Sequence, residues 1–200
     1  MKPRLPALLI HGMGSRAGWW DPFLPSLRSL GIHPSALEMP SLEASGPAAW
    51  VARVREHAPG VALAIGHSLG AAVALDAARA AAFDAVLLLA MPTIKGTVAP
   101  APPEDTGLSA AALARVARFI RRLNESPPAL TMETVHVFGA EDPHVVADSA
   151  RQLPYGLHII PGVGHDLSRP PSVVAHVMGI VARLEVVRRS CPACSSRPRH

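Results

Sequence analysis

Cysteine is nearly missing from this 200-residue chain: two copies, Cys191 and Cys194, share one Cys-Pro-Ala-Cys group near its end. Two cysteines make no disulfide framework, so nothing argues for an oxidising compartment. A zinc site needs about four ligands, and His200 is the one further candidate nearby. A redox pair would want a strand–helix setting, which this stretch lacks. No metal and no cofactor are expected. A long apolar run is missing too. The longest apolar region, Ala71 to Met91, is broken by Asp76, Arg79 and Asp84, whereas a spanning helix needs about 20 mostly apolar residues. The apolar run behind Lys2 and Arg4 covers only Ala7 to Ile10, shorter than the roughly 7–15 residues of a signal-peptide core. A cytoplasmic location without stable membrane association is the expectation.

Charge is scarce as well. Charged residues make up 17% and hydrophobic residues 49%, the balance of a compact globule and not of a disordered chain. The formal net charge is +4, and the five Arg and one Glu from Arg183 onward account for all of it. The high pI therefore describes a tail, with no basic face to make nucleic acid an expected partner. The length suits one domain, expected over residues 1–188, with 189–200 as a flexible basic tail. The region beyond Leu184 lacks apolar periodicity and is expected to be dispensable for folding. No internal repeat or linker is visible, and the 21 prolines are scattered.

What the chain does have is Gly66-His67-Ser68-Leu69-Gly70, between the apolar run Val61–Ile65 and the alanine-rich segment from Ala71 to Leu75. A buried strand, a very tight turn and a helix make this G-x-S-x-G a nucleophile elbow. Gly66 and Gly70 have no Cβ, so strand and helix can pass close to each other. The serine hydroxyl then projects above the sheet, beside the amides that open the helix.

Strand-length apolar runs alternate with helical patterns along the rest of the chain. Strands are predicted at 7–10, 35–39, 61–65, 85–90, 134–138 and 157–160. Helices are predicted near 23–30, 48–57, 69–82, 109–123, 145–152 and 172–187. Continuous apolar strands separated by helices imply a mostly parallel sheet of about six strands, covered by helices on both faces. Ligands bind such sheets outside the carboxyl ends of the strands. After the fourth strand the rhythm breaks. Residues 92–131 form an insertion, read either as a small cap or as an ordinary crossover helix with long connections. Its arginines, Arg115, Arg118, Arg121 and Arg122, recur at three- and four-residue spacing and are predicted to form its wet face.

A serine hydroxyl needs a base, and the base needs a third group to orient it. The loop after the last strand carries Gly164-His165-Asp166, and the loop after the strand before it carries Gly139-Ala140-Glu141-Asp142. The order Ser68, Asp142, His165 is the serine–acid–histidine order of this elbow's triad, with Asp166 and Glu141 as alternatives for the acid. His144 is a weak alternative base. His67 is read as a packing residue, and His11 as a tie within the first loop. His33, His57, His136, His158 and His176 are read as surface or satisfied core residues. The backbone N–H groups of Leu69 and of Met13, in the His11-Gly12 loop, are the candidates for an oxyanion hole.

With the elbow, the His11-Gly12 loop, Asp142 and His165 in order, the chain resembles the α/β-hydrolase superfamily from about Leu5 to Leu184. Trp19-Trp20 with Leu27 to Gly31, and the Gly139-x-x-Asp142 and Gly164-His165 contexts, add to the likeness. Where many members carry Asp-x-Pro-Gly after the second strand, this chain has Glu38-Met39-Pro40-Ser41. The His-Gly loop arrives by residue 11, so the family's first strands are expected to be absent, a likeness to minimal, nearly lidless lipases and small esterases. The resemblance implies a three-layer α/β-hydrolase fold and a cofactor-free serine hydrolase acting on small to medium carboxylic esters through an acyl-enzyme on Ser68. Trp19, Trp20, Met13, Met91 and Val145 would line its apolar pocket. The superfamily also contains thioesterases, carbon–carbon bond hydrolases, lyases and perhydrolases, and a ligand-binding homologue with little turnover is a further alternative.

Overall fold

Six parallel strands form one sheet in the order β2-β1-β3-β4-β5-β6. They are β1 (Leu5–Ile10), β2 (Ile32–Leu37), β3 (Leu63–His67), β4 (Ala85–Leu89), β5 (Glu133–Gly139) and β6 (Gly156–Ile160). The computed structural model describes residues 5–93 and 106–190. Every residue of β3 and β4 is buried, as continuous apolar strands in the centre of a parallel sheet should be. The edge strands β2 and β6 are partly exposed.

Helices cover both faces: α1 (Leu24–Ser29), α2 (Leu42–His57), α3 (Leu69–Ala77), α4 (Ala110–Glu125), α5 (Ala147–Ala150), α6 (Pro171–Val181) and α7 (Glu185–Ser190). Alternate strand residues feed two cores. Leu8, Ile10, Ala64, Val86 and Leu88 pack with α2, α3 and α4, while Leu9, Leu63, Ile65, Leu87 and Leu89 pack with α1, α6 and α7. The three-layer arrangement expected from the sequence is the one observed. Helix α3 is buried along its whole length, which explains its alanines: it lies between the sheet and two other helices, where larger side chains would hold the layers apart.

Helix ends differ from the sequence expectation where tertiary contacts intervene. Helix α2 starts at Leu42 instead of residue 48 and bends at Gly46, whose φ is 67°. Pro47 then restarts the helix, having no N–H to leave unpaired. The predicted helix 172–187 is two helices, α6 and α7. In the region after β4, α4 turns Leu113, Val116, Ile120 and Leu123 inward, and the last three join the α2–α3 core. Spacings of three and four make this the buried stripe of a crossover helix. Residues 94–105 of the expected cap, and Cys191 and Cys194, lie outside the described residues. Among the described residues no helix is long and apolar enough to cross a membrane.

The expectation that residues beyond Leu184 are dispensable is corrected. Val187 is 0% exposed, and the Glu185 N–H donates to Glu133 at 2.7 Å. The missing periodicity reflects a helix too short to show one. Truncation after Leu184 is expected to lower the unfolding free energy by about 2 kcal/mol, the worth of one buried valine, as read in urea melts.

His136, on β5, is 0% exposed, and neither ring nitrogen has a hydrogen-bond partner. Burial holds its pKa down at about 4, against a small opposing pull from Asp142. The native state therefore binds fewer protons than the unfolded chain below pH 6.5, and this contribution to stability drains away as the pH falls from about 6.5 to about 4. Between pH 8 and pH 5, His136→Leu is expected to gain about 2 kcal/mol on the parent, at about 1.4 kcal/mol per pKa unit traversed. Paired chemical-denaturation curves at the two pH values measure it.

Candidate active site

The chain leaves β1 towards one side of the sheet to reach β2, and β3 lies on β1's other side. At such a reversal the loops after β1 and β3 diverge and open a crevice. Ser68 follows β3 directly, at φ 53° and ψ −122°. This left-handed conformation costs a non-glycine residue about 1–3 kcal/mol. It is held by the Ser68 N–H donating to the Leu89 carbonyl at 2.8 Å, and by the Ser68 carbonyl accepting from Ala71 at 3.0 Å. A Cβ on Gly66 would overlap the Gly70 carbonyl, and one on Gly70 would overlap the Ile10 and His11 carbonyls. The two glycines therefore serve the close passage that the motif predicted.

Three predicted side chains meet there. His165 Nε2 is 2.9 Å from Ser68 Oγ, and His165 Nδ1 is 2.8 Å from Asp142 Oδ2. The Asp142 side chain is 0% exposed, and its other oxygen accepts the His144 N–H at 2.8 Å. That second bond pins the carboxylate plane. With Asp142 accepting the proton on Nδ1, Nε2 is left as the lone-pair nitrogen facing the serine. The alternatives for the acid are engaged elsewhere. Asp166 accepts from the Ser168 hydroxyl at 2.7 Å and pairs with Arg169 at 2.8 Å, and Glu141 is exposed. His144 stands edge-on to the His165 ring, 4.7 Å between centroids, and burial followed by the nearby His165 lowers its pKa.

The Asp142 and His165 loops are braced together. A Cβ on Gly139 would overlap the Val163 carbonyl, to which Glu141 also donates at 2.9 Å. Thr93, 0% exposed, donates its hydroxyl to the Val146 carbonyl at 3.0 Å and its N–H to the His144 carbonyl at 3.2 Å. The loop after β4 is thereby stitched to the Asp142 loop.

His67 does more than pack. Its Nε2 is 3.1 Å from the His165 carbonyl, and its ring stacks on Trp19 at 4.0 Å and 16°. Burial pushes its pKa down to about 4, so near neutral pH it is an uncharged donor to that carbonyl. One side chain thus joins the loops after β1, β3 and β6. No local pattern announces this contact, which spans 98 positions. Glu38, in the place of the family's usual Asp, accepts the Ala17 N–H at 2.9 Å, tying the loops after β1 and β2 together. His11 Nδ1 lies 2.8 Å from the Gly12 carbonyl, a tie within the first loop.

The expected pocket residues need correction. Trp20 is 1% exposed and packs in the core with Phe23 and Leu27, and Met91 is 2% exposed in the opposite core. Large apolar side chains beside a sheet are taken up by the core before any ligand reaches them. Val145 is buried against Phe138 and Ala150. Trp19 is half-buried, with His67 and Phe23 stacked on it, and Met13 is half-buried at the rim of the α2–α3–α4 core. Leu69 N–H opens α3 as one of the unpaired first-turn amides. Among the described residues, no group of three or more His, Cys, Asp or Glu side chains is placed to hold a metal ion.

Gly66→Ala, Gly70→Ala and Gly139→Ala are each expected to cost about 3 kcal/mol or more, because the added methyl meets backbone that cannot turn away. Gly164→Ala, whose methyl would meet nothing within 4 Å, is the tolerated control. Urea denaturation midpoints compare the four.

Relatives are recognisable at the level of family and fold. The model of an alpha/beta hydrolase family matches residues 7–133. No curated protein is significantly similar to the chain in sequence. Among solved structures, a monoacylglycerol lipase from Paleococcus ferrophilus superimposes with a TM-score of 0.71 at 14% identity, covering 92% of this chain and 93% of that one. An alpha/beta hydrolase enzyme from the metagenome of Mar Chica lagoon sediments gives 0.69 at 18% identity, over 90% of each chain. The thioesterase domain from the curacin biosynthetic pathway gives 0.67 at 14%, over 90% of this chain and 92% of that one. At such identities the superpositions establish the fold alone. The family match, spanning more than half of the chain and including the elbow, shows that this protein belongs to the alpha/beta hydrolase family.

Proposed function

We propose that the protein is a serine hydrolase that cleaves small to medium carboxylic esters through an acyl-enzyme on Ser68. The observation that carries this reading is the unbroken chain of contacts from Ser68 Oγ through the His165 ring to Asp142, at 2.9 and 2.8 Å. In acylation, His165 Nε2 takes the Ser68 proton as Oγ attacks the ester carbonyl, and Asp142 stabilises the imidazolium that forms. The tetrahedral oxyanion is received by the N–H groups of Leu69 and Met13. Each donor of this kind is worth about 10²–10³ in rate. Collapse expels the alcohol, which leaves with the proton from Nε2. Water then attacks the acyl-enzyme with His165 again as base, releasing the carboxylic acid and restoring the serine. No cofactor enters any step.

Support for a substrate of modest size comes from the core positions of Trp20 and Met91, which keep these two large side chains from gripping a long acyl chain. The same attack serves a thioester as well as an ester, because the leaving group is protonated by the same Nε2. A panel of p-nitrophenyl esters and acyl thioesters graded by chain length ranks these leaving groups.

Ser68→Ala and His165→Ala are each expected to abolish p-nitrophenyl butyrate hydrolysis, by analogy with the loss of about 10⁶ in subtilisin. Asp142→Asn should keep the fold and cost about 10⁴ in kcat, as an acid-to-amide change does in the trypsin triad. A fluorophosphonate probe should label Ser68, with the adduct placed by mass spectrometry. Undiminished turnover by the serine variant refutes the assignment.

A further inference from the structure

A groove of about 680 Å³ runs between α2 and α4, lined by the Gly46–Arg55 side of one helix and by Arg115, Arg118, Phe119 and Arg122 of the other. The bend of α2 at Gly46 lies in its wall. The Arg115 side chain packs in that bend, its Nε 3.4 Å from where a Gly46 Cβ would stand. Arg115, Arg118 and Arg122, spaced by three and four, form one stripe of α4. The sequence predicts this stripe as merely wet; the fold turns it over a concave, partly apolar surface.

The charges in the groove are unevenly balanced. Arg122 pairs with Asp76 at 3.2 Å, and Arg79 takes the other oxygen of that carboxylate. Arg55 donates to the Asp76 carbonyl at 3.0 Å. Arg115 donates to the Leu42 and Glu43 carbonyls at 3.3 and 2.8 Å. Carbonyl partners satisfy donors and leave the positive charge standing. Glu43 offsets part of the Arg115 charge, and the Ser109 amide and hydroxyl that clamp Glu43 help keep its pKa low. Arg118 is exposed and takes part in no ion pair among the described residues. Beneath the guanidinium groups lie Val51, 4% exposed, and the half-buried Phe119.

We propose that this groove is a binding site, separate from the Ser68 crevice, for an anionic amphiphile: a single aliphatic chain with a carboxylate or phosphate head. Guanidinium groups present paired N–H donors that match either head, and the floor receives the chain. The volume falls within the range of about 300–1,000 Å³ typical of small-molecule sites. Val51 is 4% exposed whereas the arginines are exposed, so a flat bilayer meets the charges first. A free, monomeric amphiphile fits both features.

Isothermal titration with decyl phosphate, kept monomeric, tests this on the whole protein, with inorganic phosphate, decanol and vesicles of anionic phospholipid as separate arms. Decyl phosphate is expected to bind at one site per chain, at least tenfold more tightly than inorganic phosphate or decanol. Arg118→Glu, which reverses the free charge, and Ala52→Trp, which fills the groove from its exposed wall, should each weaken binding at least tenfold, with thermal melts and ester hydrolysis unchanged. Binding that both variants leave intact places the ligand elsewhere and overturns the proposal. So does equal binding of inorganic phosphate, or binding to vesicles alone. The measurement needs no turnover, so its failure is distinct from failure of the Ser68 assignment.

Discussion

Backbone must touch backbone beneath the candidate site, and glycine is the residue that permits it. Gly66 passes against the start of α3, Gly70 against the end of β1, and Gly139 against the loop that carries His165. Removing three Cβ atoms brings the loops after β1, β3, β5 and β6 within reach of one another. The strained Ser68 backbone, at φ 53°, is supported by this contact, since the conformation persists only where its surroundings over-determine it.

A second layer of contacts keeps the three side chains in register. His67 sits next to the serine in sequence and holds the carbonyl of His165 in space, so the elbow helps to position the His165 loop. Trp19 clamps the other side of the His67 ring. The Asp142 loop is fastened by the His144 amide on one flank and by the Thr93 bridge on the other. Each of these partners is buried or neutral, which keeps competing charge away from the contact between Ser68 and His165.

A cluster of arginines lies away from that site. Arg169, the cation nearest Ser68, Asp142 and His165 in sequence, is paired with Asp166. The arginines of α4 overlook the groove against α2, beside the bend at Gly46. One chain therefore carries the Ser68 site and, apart from it, a basic side wall.

The alternation of apolar strands and helices was legible in the sequence, because burial on both faces of a parallel sheet demands continuous apolar runs. So were Ser68, Asp142 and His165 as a set, since each follows a strand and Gly66, Gly70 and Gly139 stand where a Cβ would meet backbone. Helix ends, the packing of Val187 and the core positions of Trp20 and Met91 were not legible: a large apolar side chain looks the same in sequence whether it faces a core or a crevice. The arginine groove was hidden for a related reason, because helical spacing identifies a stripe without saying what stands opposite it. Sequence by itself determined the order of the elements and the chemical groups at their ends. Tertiary structure alone decided which of those groups touch, since contacts such as His67 to His165 join residues 98 positions apart through packing that no local pattern encodes.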